Sequence, residues 1–251
     1  MAQVLTREKT LQAWGSSAAR EGRVLRVISI VEWPLALALT AVGAINLWKD
    51  QTWGFLVAGG ILLLLAIGHR AQLKENFRDA GSVRAGQAGE SRVSRMLAKM
   101  LPGNMYIIND LTVKFGGTSA QIDHLVVGPK GLFVIETKNW SGTVRGDERR
   151  DMWEQIPSHG RKKIIKVGNP VAQNERHVNV LRSWLRARGS AWNDLYSVVT
   201  ILSPHTRLEI DNQTTPLLPV KATARFIERF QAPALHSARE VREMVDLLLR
   251  K

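Results

Sequence analysis

The chain has 251 residues, 45% of them apolar and 23% charged, which excludes a disordered tail and leaves room for one substantial domain plus an appendage. Its 35 Lys and Arg against 22 Asp and Glu give a net charge of +13, a surplus that favours polyanionic partners, either nucleic acid or the anionic face of a membrane. It contains no cysteine, which excludes a disulfide framework and a thiolate metal site, so any metal must be held by oxygen or imidazole ligands.

The N-terminal third differs from the rest. "WPLALALTAVGAINLW" (33–48) and "WGFLVAGGILLLLAIG" (53–68) are two runs of 16 uncharged residues separated only by "KDQT". Each spans about 24 Å as a helix, short of a hydrocarbon core of about 30 Å. The first lengthens backward through "VISIV", and the second recruits His69 and Arg70 as snorkelling ends. With Trp33, Trp48 and Trp53 at their ends and no polar face for water to wet, they are expected to form a two-helix transmembrane hairpin over about 27–48 and 53–68. The alternative is a buried helical hairpin of a soluble core. Arg7, Lys9, Arg20, Arg23 and Arg26 precede the hairpin and Arg70, Lys74 and Arg78 follow it, so both termini are expected in the cytoplasm, at the cytoplasmic membrane.

After a charged stretch that is expected to continue the second helix before loosening into a linker, 71–85, "GQAGESRVSRMLAKMLP" sets Val93, Met96, Leu97, Met100 and Leu101 at helical spacing, with Glu90 projecting from the apolar face. Three strands follow: "MYIINDLTV", "AQIDHLVVG" and "GLFVIETKN". The link "GPKG" makes the last two an antiparallel hairpin. "SGTVRGDERRDMWEQI" is expected to be a further, exposed hairpin. "NPVAQNERHVNVLRSWLRAR" is a helix capped by Asn169 with Pro170 at its first position, "LYSVVTILS" is a buried strand, and "SAREVREMVDLLLRK" is a final helix capped by Ser237.

Within "IETK", Glu136 and Lys138 point to one face of their strand, and the hairpin partner brings Asp123 alongside. Two carboxylates that close repel, and a divalent cation is the natural way to keep both ionised. Lys138 then stands where it stabilises an anionic transition state. Taken singly, Asp123 with Lys138 reads as a salt bridge at a strand end. His124 faces away from Asp123 as a packed histidine, and Arg161, Lys162, Lys163 and Lys166 read either as a solvated face or as phosphate contacts.

The constellation of a helix glutamate, an Asp and, twelve residues on, Glu-x-Lys resembles the PD-(D/E)xK nuclease pattern. More narrowly, "GESRVSRML", "INDL", "QIDHLVVGPKGLFVIETKNWSG" and "NPVAQNERHVNVL" resemble the nuclease-related domain family, NERD, over residues 86 to about 205. That resemblance implies a restriction-endonuclease-like α/β core: a helix, a mixed sheet with an antiparallel hairpin, a second helix and a strand. The C-terminal extension, 206–251, lies beyond it. It also implies Glu90, Asp123, Glu136 and the Thr137 carbonyl as ligands to Mg²⁺ or Mn²⁺, with Asp123, Glu136, Lys138 and Gln173 as catalytic residues. The expected function is membrane-anchored hydrolysis of nucleic acid, DNA ahead of RNA. The alternative is a non-catalytic, membrane-anchored nucleic-acid-binding or assembly module of the same fold, and a more remote one makes the basic surface a lipid-facing patch.

Overall fold

The computed structural model describes residues 1–6, 34–42, 44–45, 54–158 and 164–250. The chain divides into two units, Met1–Lys9 with Ala88–Lys251, and Thr10–Gln87. Helix α1, Gly54–Met100, begins in the second unit and ends in the first. It is helical throughout 71–85, the stretch expected to continue the second apolar helix before loosening into a linker; Ala, Gln, Leu, Lys, Glu and Arg dominate that stretch, and all of them extend a helix readily.

In the second unit, residues 34–42 and 44–45 are also helical. Gly59 packs so closely on Thr40 that a Cβ there would collide with both its hydroxyl and its backbone, and Thr40 Oγ1 donates to Ala36 O at 2.7 Å. Ala36 and Ala66 are fully buried, whereas Leu37, Ile61 and Leu64 are 60, 55 and 71% exposed. Among the described residues no helix is long and apolar enough to cross a membrane. Residues 27–33, 43 and 46–53 of the expected hairpin, with Trp33, Trp48 and Trp53, lie outside the described residues.

The first unit is built on a mixed six-stranded sheet in the order β1-β2-β3-β4-β8-β10. Its strands are β1 (Gln3–Thr6), β2 (Tyr106–Phe115), β3 (Thr118–Gly128), β4 (Gly131–Lys138), β8 (Leu195–Ile201) and β10 (Leu217–Pro219). β3 runs antiparallel to both its neighbours, β2 and β4, and β4 runs parallel to β8. Gly131 closes the β3–β4 turn with φ +117°, and a side chain there would strike the Asp194 carbonyl. Central strands covered on both sides read as continuous apolar runs, and β4 is buried from Gly131 through Glu136.

Alternation along β4 sorts the two layers. Leu132 and Val134 face helix α2 (Pro170–Arg186) and helix α4 (Ala238–Leu249), packing with Val178, Leu181, Leu185, Val241 and Leu248. Phe133 and Ile135 face the last turns of α1, with Val93, Leu97 and Leu101, and helix α3 (Val220–Arg229), with Ala224 and Ile227. Asn169 caps α2 by accepting from Val171 N and Ala172 N, with Pro170 at the first turn, and Ser237 closes a capping box on α4 with Glu240.

A second sheet, in the order β7-β6-β5-β9, comprises β5 (Thr143–Asp147), β6 (Met152–Ile156), β7 (Ile165–Gly168) and β9 (Arg207–Asp211). β5 and β6 are the expected hairpin, but it is not wholly exposed: Val144 and Trp153 are buried and pack with Trp140, Val171, Val199 and Ile201. The sequence reading has no counterpart for β7, β9, β10 and α3.

Candidate active site

The β3–β4 ladder ends at His124↔Ile135, one residue before Asp123 and Glu136. The β2–β3 ladder is interrupted at the same level: Asn109 pairs with His124 and Leu111 with Ile122 in one unchanged register, while Asp110, at φ +50°, and Asp123 between them are left out of the ladder. The gap in one ladder and the end of the other therefore put Asp110, Asp123 and Glu136 at one place on the sheet. Beyond the last ladder pair, Asp123 Oδ2 accepts from Thr137 N at 2.7 Å, and Asp110 Oδ1 accepts from Gln121 Nε2 at 2.8 Å. The Lys138 carbonyl accepts from Leu202 N on the β8 side. Strand alternation then turns the Thr137 carbonyl to the β3 side, toward Asp123.

Glu136 and Lys138 share the α2 face, as their spacing requires. Lys138 Nζ donates to Glu136 Oε1 at 2.7 Å and to Gln173 Oε1 at 3.1 Å, so the ammonium pairs with Glu136 and not with Asp123. Gln173 and His177 lie one turn apart on α2, and His177 Nδ1 stands 3.6 Å from Glu136 Oε2. Between them Asn174, fully buried, donates through Nδ2 to Val134 O at 2.8 Å and to Val198 O at 3.2 Å, pinning this turn of α2 across β4 and β8.

Glu90 comes from the other layer, on the part of α1 that covers the Phe133 and Ile135 face. It nonetheless feels the charges at the sheet's edge. Its carboxyl is held above the ordinary range first by burial, then by Asp110 and Glu136, with Lys138 opposing. Asp123 is pushed well up by burial and by the charges of Glu136 and Glu90, against the Thr137 N–H and Lys138. Burial lowers the pKa of His177, with Glu136 opposing, and drops His124 to about 4. His124 is a packed histidine as expected, its Nδ1 2.7 Å from Asn109 Oδ1, while Asn109 Nδ2 donates to Ser94 Oγ at 2.9 Å.

These residues fit a hard divalent cation in kind. The donors are all oxygens, the charges of Asp123, Glu90 and Glu136 disfavour one another, and Glu136 Oε2 is buried with no hydrogen-bond partner. As the side chains stand, no three His, Asp or Glu among the described residues surround one point closely enough to hold a metal, so closing the set takes side-chain rotation.

Of the basic residues read as phosphate contacts, Lys166 lies on β7 and pairs with Glu154 at 2.8 Å on an exposed face; Arg161, Lys162 and Lys163 lie outside the described residues. Asp110, Asn174 and His177 went unnoticed in the sequence reading. The last was accessible from spacing alone, since it follows Gln173 by one helical turn.

Comparison with known proteins bears on the same stretch. Residues 85–202 match the model of the nuclease-related domain, NERD. An uncharacterized protein of Bacillus anthracis is 41% identical over 102 residues, covering 40% of this chain and 46% of that protein, so this chain spans less than half the length of that relative. No solved structure matches significantly. The match contains the helix glutamate, the Asp, the Glu-x-Lys and the Asn-Pro-x-x-Gln segment assembled above, and it is residues 85–202 that are similar to the nuclease-related domain family.

Proposed function

We propose that the chain is a membrane-anchored nuclease that hydrolyses phosphodiester bonds of nucleic acid, DNA before RNA, with Mg²⁺ or Mn²⁺ held by Asp123, Glu136, Glu90 and the Thr137 carbonyl. The observation that carries this reading is the gathering of Asp123 and Glu136 at the end of the β3–β4 ladder, with Lys138 bonded to both Glu136 and Gln173. When bound there, the cation supplies charge neutralisation at a phosphoryl oxygen and a more acidic water. The chain's own groups do the rest. Gln173 steadies the Lys138 ammonium, which donates to a non-bridging phosphate oxygen as negative charge builds on it, and the buried walls exclude bulk water. Water adds across the P–O bond, leaving one phosphate end and one hydroxyl end.

The anchor is supported by the second unit's packing. Gly59 meets Thr40, Ala36 and Ala66 are buried, and the described large apolar residues Leu37, Ile61 and Leu64 are exposed. Water disfavours that arrangement, whereas in lipid small residues belong at the helix contact and large ones at the acyl chains. The flanking Lys and Arg favour cytoplasmic termini. Alkaline extraction of membranes should leave the full-length chain in the pellet, and a reporter fused after Lys251 should read as cytoplasmic; release into the supernatant or a periplasmic signal overturns the anchor or its orientation.

The unconverged ligand set favours a second reading, a non-catalytic binding module of the same fold. Incubating the full chain in detergent with single- and double-stranded DNA and RNA in Mg²⁺ or Mn²⁺ separates the two. Cleavage that stops with chelator supports the nuclease; binding without cleavage, unaltered by Asp123→Ala, supports the module.

A further inference from the structure

Glu136 is buried, with only 3% of its surface exposed, and its two oxygens are treated differently. Oε1 takes the Lys138 ammonium at 2.7 Å. Oε2 has no hydrogen-bond partner, and His177 Nδ1, 3.6 Å away, has none either. An unpaired carboxylate oxygen in a buried site is costly, as is an unpaired imidazole nitrogen, and each is the other's remedy. At 3.6 Å they are not yet bonded. A small rotation of either side chain joins them, with Nδ1–H donating to Oε2.

We infer that His177 is a positioning residue for Glu136: by donating to Oε2 it fixes the plane of the carboxylate that Lys138 and a cation would share. The inference rests on the proposed cation site. The fold makes His177 suited to this. Asn174 ties its helix to the Val134 and Val198 carbonyls, and Val178, the next residue along, is buried in the core, so the ring cannot drift from Glu136 by sliding of α2. Helix α2 thus serves both members of the Glu-x-Lys pair, Lys138 through Gln173 and Glu136 through His177.

The test is Mn²⁺ binding to the full-length chain in detergent, followed by calorimetry or by the electron paramagnetic resonance of free Mn²⁺, with thermal melting as the check on folding. His177→Phe keeps the ring volume and removes the donor. His177→Asn keeps an N–H near the Nδ1 position. Loss of a residue that orients a metal ligand typically weakens the metal about 10- to 100-fold, so His177→Phe should lose that much and His177→Asn should recover most of it, each melting as a folded protein. Wild-type affinity in a folded His177→Phe, with binding abolished by Asp123→Ala, overturns the role of His177 and leaves the cation site standing. A wild-type chain that binds no Mn²⁺ overturns both. Should His177→Phe fail to fold, His177→Asn decides: wild-type affinity supports the donor role, and a loss as large as that expected of the phenylalanine variant overturns it.

Discussion

Two clusters of charge lie in the α/β unit, and they are arranged on opposite principles. On the outer face of the second sheet, Lys166, Glu154, Arg145 and Glu209 form a row across four strands in which opposite signs alternate, joined at 2.8 Å between Lys166 and Glu154 and at 2.5 Å between Arg145 and Glu209. These side chains are exposed or half-exposed, and the row satisfies itself. At the end of the β3–β4 ladder, half-buried Glu90 and Asp123 and buried Glu136 crowd like charges together with Lys138 as a close counter-ion. Folding alone selects the first arrangement, which costs nothing to solvate. The second is unfavourable for an empty chain, and a bound cation is what would make it favourable.

The strongest way to break that contrast is to remove the carboxylates. Asp123→Ala and Glu136→Ala should each cut cleavage by about 10³-fold or more in a gel assay and abolish Mn²⁺ binding, since each takes away a ligand. Lys138→Met should cost about 10²- to 10³-fold in kcat while Mn²⁺ affinity stays within a few-fold, because its contribution comes as charge develops on phosphate. Retained cation with lost rate distinguishes it from the ligands.

Stability supplies a smaller but sharper contrast. Asp123 and Glu90 have pKa values raised in the folded chain. Below the ordinary carboxylate range both states are protonated and no penalty exists. As pH rises from there through the raised values, the unfolded chain loses its protons first and the cation-free protein loses stability, after which the penalty is constant. Melting curves without divalent cation should therefore fall across that window, Asp123→Asn should flatten and raise them, and Mg²⁺ should stabilise the wild type more at neutral pH than at acid pH. Glu154→Gln, on the self-satisfied row, should leave the melting curve and cleavage unchanged.

The same division governs what was legible in the sequence. Local signals carried the central elements: the "GPKG" turn, the shared face of Glu136 and Lys138, the Asn169–Pro170 start of α2 and the Ser237 cap all read directly from residue types and spacing. What escaped notice is non-local or weakly marked. β9 pairs in parallel with β5 across some 60 residues, β10 has three residues, and α3 begins at Pro219 without a side-chain cap. Within the site, the gap in the β2–β3 ladder at Asp110 and Asp123 is a property of strand pairing, and no single strand announces it. The partnership of Lys138 with Glu136 rather than Asp123 is likewise a matter of which way the ladder ends.

The central claim is that the crowded carboxylates are a cation site. Crystals of the full-length chain grown with Mn²⁺, measured at a wavelength where manganese scatters anomalously, test it most directly. An anomalous peak bonded to Asp123 and Glu136 is expected, vanishing in Asp123→Ala with the rest of the α/β unit unchanged. Wild-type crystals showing those two carboxylates in place, saturated with Mn²⁺ and without a peak between them, would contradict it.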